Sequence, residues 1–327
     1  MLLVNIFLYL VPFFILWIGA GLIVSSVDKI SKRLRLSSFA FSFFVLGLLT
    51  SIPEFAVGMT AVAENKAEVF VGNLIGGIPV IFLFIIPLLA ILGNGIKLKN
   101  SLNSKNLLFS FVVMLTPAFL VLDRRVTNFE GVIMILLYLV LFFLIQRGKG
   151  ILDTEHSNVL KLKSYSFKDI LKVFLGVGIV FFASRVIVEN TIYFANVLNI
   201  STFYISLIFL SLGTNLPEFS LAIRAVISGK KDVAFGDYVG SSAANTLLFG
   251  IFTLLSTGEV VTANNFVETF LVMVVGLGLF FYFSRSEHKI TKKEGFVLLL
   301  LYGVFVFGEQ VLNGPLTKII HLGNIFL

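Results

Sequence analysis

Residues 46–55 read Leu-Gly-Leu-Leu-Thr-Ser-Ile-Pro-Glu-Phe, and residues 210–219 read Leu-Ser-Leu-Gly-Thr-Asn-Leu-Pro-Glu-Phe. The second segment follows the first at an offset of 164 residues and repeats its Thr, Pro and Glu in the same order. Both segments lie in strongly apolar runs, where a carboxylate is costly and a proline interrupts a helix. Because both costs occur twice at one spacing, the pair predicts a functional site built from an internal repeat.

The composition of the chain indicates that most of it lies in lipid. Of the 327 residues, 57% are hydrophobic and 13% are charged, whereas soluble domains carry about 25% charged residues. The mean hydropathy is +1.01, and a globule of this length cannot bury so much apolar surface. We therefore expect an all-α membrane protein. A β-barrel is excluded because its strands are short and alternating, unlike these long apolar runs.

The charged residues and possible metal ligands exclude several other classes. The net charge is +7, but the Lys and Arg residues lie in short loops between apolar runs, so we expect no nucleic-acid partner. The chain has no Cys, and its three His residues lie in loops or near the end, which excludes thiolate and histidine metal sites. The apolar runs contain no catalytic or phosphate-binding motif, so we predict no enzyme activity, no cofactor and no obligate protein partner.

Apolar runs predict about ten transmembrane helices and two halves of the chain. The predicted spans are 3–25, 38–64, 68–93, 105–122, 129–146, 169–195, 202–228, 233–256, 263–284 and 294–312. The longest polar stretch, 147–166, separates five spans from five others. We therefore predict one repeat at 1–146, a linker at 147–166 and a second repeat at 167–327.

The distribution of Lys and Arg predicts the orientation of these repeats. Loops that follow odd-numbered spans hold 20 Lys and Arg residues, and the opposite loops hold four. The positive-inside rule then places the linker in the cytoplasm and both termini outside, and we expect the plasma membrane as the location. Since five is an odd number, the second repeat enters the membrane from the other side. Two inverted-topology five-helix repeats are typical of secondary transporters.

The motif residues are suited to binding a hard cation. Pro53 and Pro217 each leave a helical carbonyl without its usual donor. Thr50 and Thr214 place hydroxyls one turn before the two carboxylates, on the same helical face. Oxygen ligands of this kind are preferred by Ca²⁺ and Na⁺. Two glutamates carry a charge of −2, which one Ca²⁺ or two Na⁺ neutralise, so competition between these ions would produce exchange.

A second polar helix follows each motif helix, and its two copies differ. The glycines at 72 and 76 recur at 236 and 240, which permits close packing of helices. In the second copy the i, i+4 and i+8 positions form a polar stripe of Asp237, Ser241 and Asn245. The corresponding residues of the first copy are Asn73, Gly77 and Ile81. We expect an unequal cation site, in which Asn73 and Asp237 are candidate ligands. Asp237 either adds a charge or is a helix N-terminal residue favoured by the dipole.

These segments resemble the cation/Ca²⁺ exchanger superfamily, whose best-known branch is the sodium/calcium exchangers. The resemblance rests on the Thr-x-x-Pro-Glu segments and on the Gly-Asn-x-x-Gly and Gly-Asp-x-x-Gly-Ser segments at 72–76 and 236–241. It implies a cation site whose ligands are Glu54, Glu218, Thr50, Ser51, Thr214, Asn215, Ser241 and Asn245. The chain departs from the family pattern at Gly77, Ile81, Asn215 and Asn245, where Ser, Asn, Ser and Asp are common. These departures place the usual exchange stoichiometry of three Na⁺ for one Ca²⁺ in question.

Three functions are consistent with these residues. The first is a secondary antiporter that exchanges Ca²⁺ against Na⁺ by alternating access, with Glu54 and Glu218 as ligands. The second is a proton-coupled Ca²⁺ antiporter, because a carboxylate removed from water binds a proton more readily. The third is a cation channel. Separately, Arg185 and Glu189 lie four residues apart in the sixth span and are predicted to form a structural ion pair.

Overall fold

The helices of the protein coincide with the predicted spans. The computed structural model describes residues 2–31, 47–97, 104–148, 167–219, 231–256, 259–262, 266–286 and 289–313. Each of the ten predicted spans contains a helix in these ranges, which confirms the all-α membrane class. The predicted segments 38–46 and 220–228, the linker residues 149–166 and the chain ends lie outside the described residues.

The first half of the chain contains six helices and two short strands among its described residues. They are α1 (Leu2–Ser31), α2 (Gly47–Thr50), α3 (Ile52–Ala63), α4 (Ala67–Leu92), β1 (Ile96–Lys97), α5 (Ser104–Leu120), β2 (Arg125–Val126) and α6 (Asn128–Gly148). A π-helical stretch, Val80–Ile85, lies within α4.

The second half repeats this order. It contains α7 (Phe167–Leu198), α8 (Thr202–Thr214), a helical segment α9 at 216–219, α10 (Lys231–Leu255), β3 (Val260–Val261), α11 (Val267–Ser286), β4 (Lys289–Ile290) and α12 (Lys292–Asn313). Within the described residues, six helices are long and apolar enough to cross a membrane, and they belong to α4, α5, α6, α7, α10 and α11. Shorter apolar helices lie in α1, α3 and α8.

The four strands extend the internal repeat far beyond the two motifs. In the first ladder Ile96 pairs with Ile290, antiparallel. In the second ladder Val126 pairs with Val260, also antiparallel. The offset of 164 residues that relates the motifs converts residue 96 into 260 and residue 126 into 290, so each ladder is the symmetry equivalent of the other. The repeat therefore governs tertiary pairing as well as sequence.

A capping box at the start of the last helix of each half, α6 and α12, confirms the same offset. The Thr127 N–H donates to Glu130 Oε2 at 2.7 Å, and the Glu130 N–H donates to Thr127 Oγ1 at 3.3 Å. The same two bonds join Thr291 and Glu294, at 2.7 and 3.3 Å. Each box satisfies backbone donors that the first turn of a helix leaves free. Sequence reasoning missed these boxes, although their Thr-x-x-Glu pattern and their offset were both present in the chain.

The strand pairing is compatible with the predicted sidedness. Strands β1 and β4 follow the third and ninth spans, and both of these loops are cytoplasmic in the predicted topology. Strands β2 and β3 follow the fourth and eighth spans, whose loops lie on the outer side. Each ladder therefore joins two loops on the same side of the membrane. The ladder that is its symmetry equivalent lies on the opposite side, as inverted repeats require. The sidedness itself stays a prediction.

Candidate cation site

The two motif segments adopt the same break in their helices. Helix α2 ends at Thr50, Ser51 has φ −78° and ψ 8°, and α3 begins at Ile52. Helix α8 ends at Thr214, Asn215 has φ −85° and ψ 15°, and α9 follows. In both copies the proline is the second residue after the break, where its fixed φ suits a first helical turn. The break therefore follows from the local sequence.

Side-chain hydrogen bonds at the break are also duplicated. Ser51 Oγ donates to the Gly47 carbonyl at 2.8 Å. Its counterpart Asn215 donates from Nδ2 to the Ser211 carbonyl at 2.7 Å. The backbone N–H groups of Ser51 and Asn215 bond to these same two carbonyls at 3.2 Å. Pro53 and Pro217 have no N–H to offer to the carbonyls one turn before them, so those oxygens are suited to a cation.

Nine of the ten predicted ligands are buried. The carboxylate residues Glu54 and Glu218 are 2% and 1% exposed, so both are removed from the surface of the protein. The other buried ligands are Thr50, Ser51, Asn73, Thr214, Asn215, Ser241 and Asn245. The backbone of Asp237 lies in α10, but its side chain is outside the described residues. Burial of two carboxylates is costly unless a cation, a proton or hydrogen bonds compensate it.

Two hydrogen bonds connect the repeats at this site. Thr214 Oγ1 in α8 donates to Asn73 Oδ1 in α4 at 3.0 Å. Asn245 Nδ2 in α10 donates to the Leu74 carbonyl in α4 at 3.1 Å. Helix α4 of the first repeat thus meets α8 and α10 of the second at neighbouring residues. The structure therefore places Thr214 against Asn73, and Asn245 against the next residue of α4.

Glycines permit the close helix contacts that assemble the site. A Cβ on Gly72 would lie 2.7 Å from the Phe203 carbonyl oxygen in α8, and one on Gly76 would overlap the Leu207 carbonyl. On the other side, a Cβ on Gly47 would lie 2.7 Å from the backbone nitrogen of Ser241 in α10. Side chains at these positions would force the backbones apart, so the glycines set the distance between the motif helices.

The family assignment follows from comparison with known proteins. The family model described as "Sodium/calcium exchanger protein" matches residues 4–146 and 169–309. The chain belongs to this family. The matched residues comprise most of the chain and both halves, and they omit the whole polar linker, 147–166. The protein is therefore a multi-pass membrane protein of the cation/Ca²⁺ antiporter class and not an enzyme.

Individual relatives of this exchanger cover nearly its whole length. The sodium/calcium exchanger MaX1 of Methanosarcina acetivorans is 24% identical over 349 residues, which cover 94% of this chain and 98% of MaX1. A structure of the sodium-calcium exchanger NCX_Mj soaked with Na⁺ and Sr²⁺ matches with a TM-score of 0.65 at 20% identity, covering 93% of this chain and 98% of NCX_Mj. The crystal structure of the H⁺/Ca²⁺ exchanger CAX matches with a TM-score of 0.76 at 17% identity, covering 97% of this chain and 84% of CAX. Both structural matches show the shared fold.

Three of the four departures from the family pattern are neighbours in this exchanger. A Cβ on Gly77 would lie 2.8 Å from Asn245 Nδ2 and 3.2 Å from Asn215 Nδ2. The two amide groups therefore pack against the backbone where the family commonly has a serine. From sequence alone these three departures are treated as separate, because nothing in the sequence places residue 77 beside residues 215 and 245. The fourth departure, Ile81, is a buried core residue one turn further along α4.

Proposed function

We propose that this exchanger carries Ca²⁺ against Na⁺, with Glu54 and Glu218 binding the two ions in turn. The observation that carries the proposal is the pair of buried carboxylates placed at matched helix breaks. Their combined charge of −2 equals the charge of one Ca²⁺ or of two Na⁺. Either occupancy leaves a neutral site in a low-dielectric environment, so the two ions are alternatives.

The neutral oxygen-bearing side chains of the motif segments favour Na⁺ over H⁺ as the counter-ion. A bound proton needs one carboxylate oxygen, whereas Na⁺ needs several oxygen ligands to replace its water. Hydroxyls of Thr50, Ser51 and Thr214 are buried in the same motif segments, and the amides of Asn215 and Asn245 pack against Gly77. The linked repeats supply a structural basis for alternating access, because inverted repeats of one chain can exchange their arrangements.

Transport by purified protein in proteoliposomes tests the counter-ion. We expect ⁴⁵Ca²⁺ uptake when the vesicles are loaded with Na⁺ and diluted into Na⁺-free buffer at equal pH, with the membrane potential clamped by K⁺ and valinomycin. A pH gradient without Na⁺ should give no uptake. Uptake driven by the pH gradient alone would assign proton coupling instead, and Ca²⁺ equilibration without any counter-ion would indicate a channel.

Asn245→Asp tests whether the two amides beside Gly77, those of Asn215 and Asn245, belong to the cation site. The amide of Asn245 donates to the Leu74 carbonyl at 3.1 Å, and a carboxylate has no proton to donate there. Leaving a buried acceptor without its donor costs about 1–3 kcal/mol. We expect Asn245→Asp to lower the melting temperature in EDTA and Ca²⁺ to restore it, since a cation can bridge the carboxylate and the carbonyl.

Asn245→Ala is the matched control for this measurement. It removes the same hydrogen bond without adding a charge, so Ca²⁺ should not restore its thermal stability to that of the unsubstituted protein. If Ca²⁺ stabilises Asn245→Asp no more than Asn245→Ala, residue 245 is not a ligand position.

A further inference from the structure

An ion pair lies exposed within a membrane span, on α7. Arg185 Nε contacts Glu189 Oε1 at 3.0 Å, which confirms the predicted pair, and the two side chains are 70% and 54% exposed. Both residues lie inside the apolar segment Phe174–Leu198. Arg185 is about 16 Å from the first residue of this segment and about 20 Å from the last, at 1.5 Å per residue. The charges are therefore exposed at the depth of the hydrocarbon.

No other described span has this feature. In the other candidate spans of the described residues, charged residues lie within three residues of an end, and Glu54 among them is buried. The side chains of Asp237 in α10 and Glu309 in α12 are outside the described residues. Ionised side chains exposed to hydrocarbon are costly, and those found inside spans usually face protein or a water-filled cavity. The intrahelical contact uses Nε, one of several guanidinium donors. The pair therefore calls for a polar partner on the outer face of α7.

The exposed residues on the same face of α7 as the ion pair have the spacing of a helix–helix interface. The exposed residues that share its face, which we call the α7 stripe, are Leu171, Leu175, Gly178, Phe182, Arg185 and Glu189. Their intervals alternate between four and three residues, as in a left-handed helix pair. A helix covered on one side always leaves such a face exposed, so the spacing alone does not identify a partner. The two opposite charges identify the partner, because they make the stripe complementary to a second copy of itself.

We propose that the α7 stripe is an interface with a second copy of this chain. Two copies inserted in the same orientation are related by a two-fold axis along the membrane normal, so their α7 helices are parallel and the stripe faces itself. Arg185 of each copy can then reach Glu189 of the other, giving a ring of four alternating charges. A Cβ on Gly178 would meet no atom within 4 Å, so the glycine leaves room for close approach. This interface is independent of which ion drives transport.

Cysteine cross-linking tests the interface in the 327-residue chain, which contains no Cys. Phe182 lies in the stripe and is 68% exposed, and Phe143 of α6 is 57% exposed on another helix. We expect Phe182→Cys to form a disulfide dimer about tenfold faster than Phe143→Cys in proteoliposomes of low protein density, because preassembled thiols react at high effective concentration. Equal rates for the two variants would overturn the proposal.

Charge exchange tests the role of the ion pair. Adding Arg185→Glu to Phe182→Cys should abolish the rapid cross-link, because four acidic groups would then face one another. Adding both Arg185→Glu and Glu189→Arg should restore it, since the ring reforms with its positions exchanged. Undiminished cross-linking of the single exchange, or failure of the double exchange, contradicts the proposal. Stepwise photobleaching counts the subunits of the otherwise unchanged protein and does not depend on these variants. Spots that bleach in a single step would also refute the proposed interface.

Discussion

Glu54→Gln and Glu218→Gln are each expected to lower Ca²⁺ uptake by about a hundredfold or more. Glutamine keeps the shape of the side chain but removes the charge that compensates the bound cation. Removing one partner of a buried charge pair costs about 3–5 kcal/mol, and each 1.4 kcal/mol corresponds to about a tenfold change in an equilibrium constant. The measurement is initial ⁴⁵Ca²⁺ uptake into Na⁺-loaded proteoliposomes at equal protein content.

A glutamate directly after the helix of Glu54 provides the control. Glu64 follows α3 as its C-terminal cap residue and lies outside the motif, so Glu64→Gln should transport Ca²⁺ at nearly the normal rate. The melting temperatures of the two motif variants should not fall, because each buried carboxylate is replaced by a neutral group. Near-normal uptake by either motif variant would show that its glutamate is not an essential ligand.

The helices and the motif breaks were predictable because they depend on local sequence. Apolar runs fix where spans lie, and a proline two residues after the break fixes how Ser51 and Asn215 interrupt their helices. The repeat offset was likewise visible from two short segments. These features need no information about which helix packs against which other helix.

Contacts between distant segments were not predictable in the same way. Strands β1 to β4 contain two residues each, too few to show an alternating pattern, and their pairing joins loops far apart in the chain. The packing of Gly77 against Asn215 and Asn245 depends on how closely α4 approaches α8 and α10. That distance is set by glycines, and the sequence predicts that these glycines permit close packing but not which helices they contact.

Gly76→Ala tests whether these glycines hold the site together. In an isolated helix, alanine is more favourable than glycine by about 1 kcal/mol, so helix propensity alone predicts a gain. The added Cβ would overlap the Leu207 carbonyl of α8, which is backbone and cannot rotate away. Overpacking of this kind costs about 1–3 kcal/mol and sometimes more. We expect a lower melting temperature and loss of most Ca²⁺ uptake, because α4 must move from α8 and separate Asn73 from Thr214.

Gly303→Ala in α12 isolates the effect of packing from that of helix propensity. A Cβ on Gly303 would meet no atom within 4 Å, so this variant should keep its transport activity and melt at an equal or higher temperature. If Gly76→Ala behaves like Gly303→Ala, α4 and α8 are not held in backbone contact, and the bond between Thr214 and Asn73 does not depend on that contact. A lower melting temperature and lost uptake for Gly76→Ala, with neither change for Gly303→Ala, would show that cation transport depends on the small residues beside the motif. These residues would then be as necessary as the carboxylates within it.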